Sequence, residues 1–161
     1  MSSSLKYSFP ACLEGQCLPA EFGKWLERKA RSLSQRDKKR GNKSAQRAPY
    51  KVAIYQAVVR SQGRDVYTGK SLRWDLISKY DNDTSKKEGR KYKKDFGDLP
   101  TVDHVNEVSG PTDFNICSWR INDAKHDLTL DEFTAVCREI LEFQKVKRDH
   151  TTCPQCGSQI D

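Results

Sequence analysis

No stretch of this chain approaches the roughly 18 consecutive apolar residues of a transmembrane helix, and Met1 to Phe9 lacks the apolar core of a secretory signal peptide. Both absences lead to the expectation of a cytoplasmic protein. In that compartment the six cysteines are expected to be thiols or metal ligands rather than disulfides. There is no internal repeat and no long low-complexity segment, which excludes a repeat architecture. A Cys–His dyad beside a Gly-rich oxyanion site is also missing, which argues against a cysteine protease. Apolar residues are scarce at 35%, against 32% charged. The 161 residues therefore suit one domain with a modest core and a heavily solvated surface.

What the chain has in quantity is positive charge. A formal net charge of +7 and a pI near 9.1 favour an anionic partner, of which nucleic acid is the commonest. The charge is clustered: between Lys24 and Lys51 eleven Lys and Arg residues face only Glu27 and Asp37. A second basic run, Lys86, Lys87, Arg90, Lys91, Lys93 and Lys94, precedes the most informative segment. Such clusters suit phosphate tracking, although a solvated helix face and a flexible loop would read the same way.

Periodicity places the elements. Residues 1–18 read as irregular. Phe22, Trp25, Leu26, Ala30 and Leu33 fall on one helical face between Pro19 and Arg40, and Gly41-Asn42 stops that helix. Tyr50, Ala53, Ile54, Ala57 and Val58 mark a second helix over Pro49 to Ser61, with Gly63 after its end. Asp65 to Trp74 is a short β-like segment with a Thr-Gly turn, and the Lys-rich residues 81–95 read as a loop. Leu99 to Val105 and Phe114 to Trp119 read as strands joined by a loop at Asn106 to Thr112. A short helix begins at Asn122. A last helix opens on a Thr129–Glu132 capping box and carries an apolar stripe of Phe133, Val136, Cys137, Ile140 and Leu141. The fold class is α+β: N-terminal helices, a strand–strand–helix unit, and a C-terminal helix. The division is 1–63 basic and helical, 64–146 the core with its buttressing helix, and 147–161 a Cys-containing tail.

The chemistry concentrates where strand meets helix. Asp103 and His104 end the first strand, Asn115 follows on the second, and Asn122-Asp123-Ala124-Lys125 opens the helix. Hydrolysis of a phosphodiester with one metal ion needs these residue types. An imidazole such as His104 takes a proton from water near neutral pH. Carboxylate and amide oxygens such as those of Asp103 and Asn122 suit Mg²⁺ or Mn²⁺, and the cation neutralises charge on the phosphate. His126, four residues beyond Asn122, shares its helix face if the helix reaches that far and is a further ligand for a softer metal. Arg120 and Lys125 are placed to stabilise the pentacovalent transition state as phosphate contacts. Adjacent strand residues point to opposite faces, so Asp103 and His104 reach one centre only on a curved ribbon.

In these residues the chain resembles the HNH endonucleases, whose core is a ββα-metal finger. The resemblance rests on Val102-Asp103-His104-Val105, Phe114-Asn115-Ile116-Cys117 and Asn122-Asp123-Ala124-Lys125, with Tyr67-Thr68-Gly69, Leu72 and Trp74 as the hairpin leading in. It covers roughly Asp65 to Phe143. It implies a metal-dependent DNA endonuclease lying along the minor groove, with Asp103 and Asn122 as ligands and His104 as general base. Asn115 would orient the His by fixing the inter-strand loop. Asn122, Asp123 and His126 are, in that order, the helix residues implied at the metal. Many members also bind a structural zinc through paired Cys-x-x-Cys motifs; here Cys117 stands near one such position without its partner.

Cys153-Pro-Gln-Cys156 is half a zinc site, and Cys12 with Cys17 has permissible ligand spacing. If the termini lie together the two pairs meet, and with His150 as a spare donor they would hold a structural zinc by four thiolates or by three thiolates and an imidazole; free thiols in a tail are the alternative. Cys117 and Cys137 sit in apolar patterns and read as core. Two rival functions fit the same residues: a non-catalytic, zinc-stabilised nucleic-acid-binding module, and a subunit of a larger defence or mobile-element complex. A lone finger cuts one strand, so cutting both strands would point to a homodimer.

Overall fold

The computed structural model describes residues 7–105 and 112–150, with side chains as far as residue 145. Helix α1 spans Pro19–Lys39 and α2 spans Arg47–Ser61. Short helices α3 (Asn82–Glu88) and α4 (Arg90–Asp95) follow. Strands β1 (Pro100–His104) and β2 (Phe114–Ser118) lead into α5 (Trp119–Lys125), and α6 covers Leu130–His150. N-terminal helices, a two-stranded sheet with its helix, and a C-terminal helix make the α+β class expected from the pattern. The chain divides into two compact units, residues 1–124 and 125–161. Among the described residues no helix is long and apolar enough to cross a membrane.

Helix α1 starts where Pro19 supplies a ready-made helical φ and the Glu21 carboxylate accepts the Leu18 amide at 3.3 Å. Arg36, Lys38 and Lys39 occupy its last turn, where cations complement the negative end of the helix dipole. Its buried face carries Phe22, Trp25, Leu26, Ala30 and Leu33, and also one charged residue, Asp37. Helix α2 lays Tyr50, Ala53, Ile54, Ala57 and Val58 against that face. Trp25 meets Trp74 edge-on, ring centroids 5.2 Å apart, and the Trp74 indole donates to the Gly63 carbonyl at 3.0 Å. Gly63 has φ +76°, a backbone shape that glycine adopts without Cβ strain.

The strands pair antiparallel, Thr101 opposite Cys117, Asp103 opposite Asn115 and His104 opposite Phe114. A two-stranded ribbon is marginal alone. Here Val102, Phe114 and Ile116 bury one face in the helical core, while Thr101, Asp103, Asn115 and Cys117 share the other, as alternation requires. Asp65 secures the outer flank of β2. Its Oδ1 accepts the amides of Tyr67 and Thr68 at 2.8 and 3.1 Å, and its Oδ2 accepts that of Ser118 at 2.8 Å. The β-like segment over 65–74 is thus a tight turn held by a single bridge, Arg64 to Ser71.

Residues 81–95 are helical rather than a loop. The Asp81 carboxylate caps α3 by accepting the Thr84 amide and hydroxyl, each at 2.7 Å, and Gly89 at φ +57° separates α3 from α4. An aromatic group pins this Lys-rich stretch. Tyr92 stacks on Phe96 at 4.6 Å, and Tyr80 meets Phe96 and Trp119 edge-on at 5.3 and 5.7 Å. In the second unit the capping box forms as read: the Glu132 amide donates to Thr129 Oγ1 at 3.3 Å and the Thr129 amide to Glu132 Oε2 at 2.8 Å. The α6 stripe is exposed at Val136, Ile140 and Leu141, and Cys137 is half-buried rather than in a core.

Candidate active site

The ribbon ends in two polar groups, one on each face. On the core face, His104 Nε2 lies 2.7 Å from Asp37 Oδ2. Asp37 comes from α1, is completely buried, and also accepts the Tyr50 hydroxyl at 2.8 Å. Arg36 Nη2 stands 3.4 Å from His104 Nδ1. A guanidinium only donates, so Nδ1 carries the lone pair and Nε2 carries the proton given to Asp37. The ring also packs edge-on against Phe114, centroids 5.0 Å apart. Carboxylate, aromatic edge and strand together fix the tautomer and orientation of the imidazole, leaving its basic nitrogen toward the half-exposed Arg36 side chain. Burial, then the bond to Asp37, pushes the Tyr50 phenol up to about 12, so it remains a donor at neutral pH. Asp37 Oδ1 is buried with no hydrogen-bond partner; its nearest cation is Arg36 Nε at 3.6 Å.

On the opposite face Asp103 is buried and accepts the Tyr67 hydroxyl at 2.6 Å. The Asn115 amide donates to the same hydroxyl at 3.4 Å. Burial, then the bond to Asp103, raises the Tyr67 phenol well above its ordinary value. Tyr67 is aimed by the Asp65 turn, and the Val66 amide donates to the Ile116 carbonyl at 3.0 Å. The ribbon therefore joins Asp103 to Asn115 through Tyr67, and His104 to α1 through Asp37. It does not turn the His104 ring and the Asp103 carboxylate toward each other.

Asn122 and Asp123 lie inside α5, which begins at Trp119 and not at Asn122. His126 is beyond the end of α5, at φ +53°, so it does not share a helix face with Asn122; its exposed ring pairs with Asp127 at 2.9 Å. Lys125 is buried, its ammonium donating to the Leu128 carbonyl at 2.7 Å. Arg120 is exposed and donates to the Lys94 carbonyl at 3.2 Å. Cys117 is fully buried. Cys12 and Cys17 are half-buried thiols; burial raises both, and with the Glu21 carboxylate nearby Cys17 reaches about 11. Cys153, Cys156 and the His150 side chain lie outside the described residues, as does most of the inter-strand loop.

Much of the basic stretch in α1 and α2 is engaged internally. Glu27 draws Arg47 and Lys51 to 3.0 and 3.1 Å, Arg28 donates to the Ile77 carbonyl at 3.1 Å, and Lys29 donates to Thr101 Oγ1 at 3.0 Å. Burial, reinforced by Arg28, pulls the Lys29 amine down to about 8.

Among the described residues no three His, Cys, Asp or Glu side chains converge on a cation site. Mg²⁺ does not need three: it takes one or two carboxylates and fills its octahedron with water and substrate phosphate. At this end of the ribbon the outer face offers the Asp103 carboxylate, held by the Tyr67 hydroxyl, and the Asn115 side chain opposite it. The residues missed from sequence are Asp37, Tyr50, Tyr67 and Asp65. The available signal was Asp37 itself, a charge standing four residues after Leu33 on an otherwise apolar stripe. The unit formed by β1, β2 and α5 has ββα topology. Comparison with protein-family models, curated proteins and solved structures gives no match.

Proposed function

We propose that the chain is a divalent-metal-dependent DNA endonuclease of the HNH type, cytoplasmic in setting, with His104 as general base. The observation that carries this reading is the His104–Asp37 pair. A surface histidine at a strand end has no reason to be clamped by a fully buried carboxylate from a helix 67 residues away. A base that must present one nitrogen to water does, because a fixed tautomer and ring orientation remove a reorganisation cost from the proton transfer. Asp103 and Asn122 would hold Mg²⁺ or Mn²⁺, which supplies charge neutralisation at the phosphate. Tyr67 and Asn115 keep Asp103 in place. His104 Nδ1 accepts the proton of the attacking water, and Arg36, exposed beside it, swings from the ring to the substrate phosphate.

The test is nicking of supercoiled plasmid with Mg²⁺, Mn²⁺, Zn²⁺ or EDTA, by the parent chain and by His104→Ala. Mg²⁺- or Mn²⁺-dependent nicking that His104→Ala lacks while still binding DNA is the expected result. Equal cutting by His104→Ala refutes the mechanism. A second reading, a non-catalytic nucleic-acid-binding module, is favoured by one observation: Asp103 and His104 engage separate partners on opposite faces. It calls for salt-sensitive binding with no Mg²⁺-dependent nicking.

A further inference from the structure

Facing helices α4 and α5 enclose a cleft of about 530 Å³, a volume typical of ligand sites. Arg90, Lys93, Lys94 and Arg120 line it, with Asp123 the only acid among the described lining residues and Trp119 as the aromatic wall. Lys93 Nζ sits 5.7 Å over the Trp119 ring. Tyr80 abuts the same ring and, through Phe96 and Tyr92, ties α4 in front of it. Gly97 closes the floor: a Cβ there would run into the Arg120 guanidinium, so the absence of a side chain is what lets Arg120 lie in the cleft. Cations around a half-buried indole that lines the cleft are the two halves of single-strand recognition, phosphate attraction and base stacking. A duplex buries its base faces and offers Trp119 nothing to stack on.

The geometry points to this cleft as a binding site for an unpaired nucleotide of a nucleic-acid strand, its base on Trp119 and its phosphates on Arg90, Lys93, Lys94 and Arg120. The Trp119 amide donates to the Leu99 carbonyl at 2.8 Å, at the end of the ribbon away from Asp103 and His104. At ~3.3 Å per residue the two ends are about 15 Å apart. The inference rests on the nuclease reading for what is done to the strand, and adds that the preferred substrate is single-stranded or locally unpaired several nucleotides from the cut.

The experiment is a fluorescence titration of the full chain with the oligonucleotide dT10 in EDTA, where no cleavage occurs. Trp25 and Trp74 are 1% and 0% exposed, so quenching by a stacked base reports Trp119. Saturable quenching is expected. Trp119→Leu should abolish it and weaken binding, followed by filter retention, about tenfold. Lys93→Gln with Lys94→Gln, both at exposed positions, should lower the salt slope by about 1.4, and Gly97→Ala should weaken binding by displacing Arg120. Parent-like affinity and salt slope in these variants overturn the inference, as does displacement of dT10 by inorganic phosphate or a poly-glutamate peptide at matched charge. Cleft-dependent binding without any plasmid nicking supports the inference and ends the nuclease reading. Nicking with binding unchanged in every variant overturns the inference alone.

Discussion

Replacing Asp37 by alanine separates a base held by its neighbours from a histidine that merely lies near them. Asp37 is fully buried and accepts two hydrogen bonds, from His104 Nε2 at 2.7 Å and Tyr50 Oη at 2.8 Å. Bonds to a charged acceptor contribute about 1.5–3 kcal/mol each, but the donors left behind rehydrate in part. Asp37→Ala should therefore cost about 3–5 kcal/mol of unfolding free energy, the range found when one partner of a buried pair is removed. Asp37→Asn keeps the volume and one carbonyl at the Oδ2 position, so it should cost about 1 kcal/mol. Loss of ring orientation should lower kcat for plasmid nicking about 100-fold in Asp37→Ala and about tenfold in Asp37→Asn, with the KM for DNA little changed. Urea melts give the first quantity, and single-turnover nicking well below the melting temperature gives the second. A folded Asp37→Ala chain that nicks at the parent rate refutes the reasoning.

Lys29 yields a pH prediction. Its amine is held near 8 in the folded chain, below its unfolded value, so between about pH 8 and 10.5 the unfolded chain binds the extra proton and stability rises with pH. Lys29→Met should flatten that rise and lift the melting temperature at pH 7 by about 3–6 °C; an unchanged pH slope counts against it. Tyr67→Phe removes the 2.6 Å donor to Asp103 and should destabilise by about 1–2 kcal/mol, with a larger effect on Mg²⁺-dependent nicking than on DNA binding. Asp65→Ala loses three backbone amide bonds and should cost about 3 kcal/mol in urea unfolding; a loss below 1 kcal/mol would mean the turn does not depend on it.

Elements with a strong local period were legible. The α1 and α2 stripes, the two strands and the Thr129–Glu132 cap depend on residues within a few positions of each other, so the sequence displays their cause. Helices α3 and α4 were not: Lys86 to Lys94 carries no apolar period, and what holds it is the packing of Tyr92 and Phe96 on Tyr80 and Trp119 from other elements. The Asp81–Thr84 cap and Gly89 were the local signals for them. Likewise the Asp103, His104 and Asn115 pattern was visible, but their partners Tyr67 and Asp37 come from segments that only tertiary packing brings near. Hydropathy suggested a free cationic face over Lys24–Lys51; Glu27, Thr101 and the Ile77 carbonyl take several of those cations inward.

The most direct test of the account is single-turnover nicking of plasmid DNA with Mg²⁺ by parent and His104→Ala at equal DNA occupancy. Nicking by the parent, abolished by EDTA and lost in His104→Ala, is the expected result. Cutting by His104→Ala at the parent rate, or no cutting by the parent with any divalent ion, would contradict it.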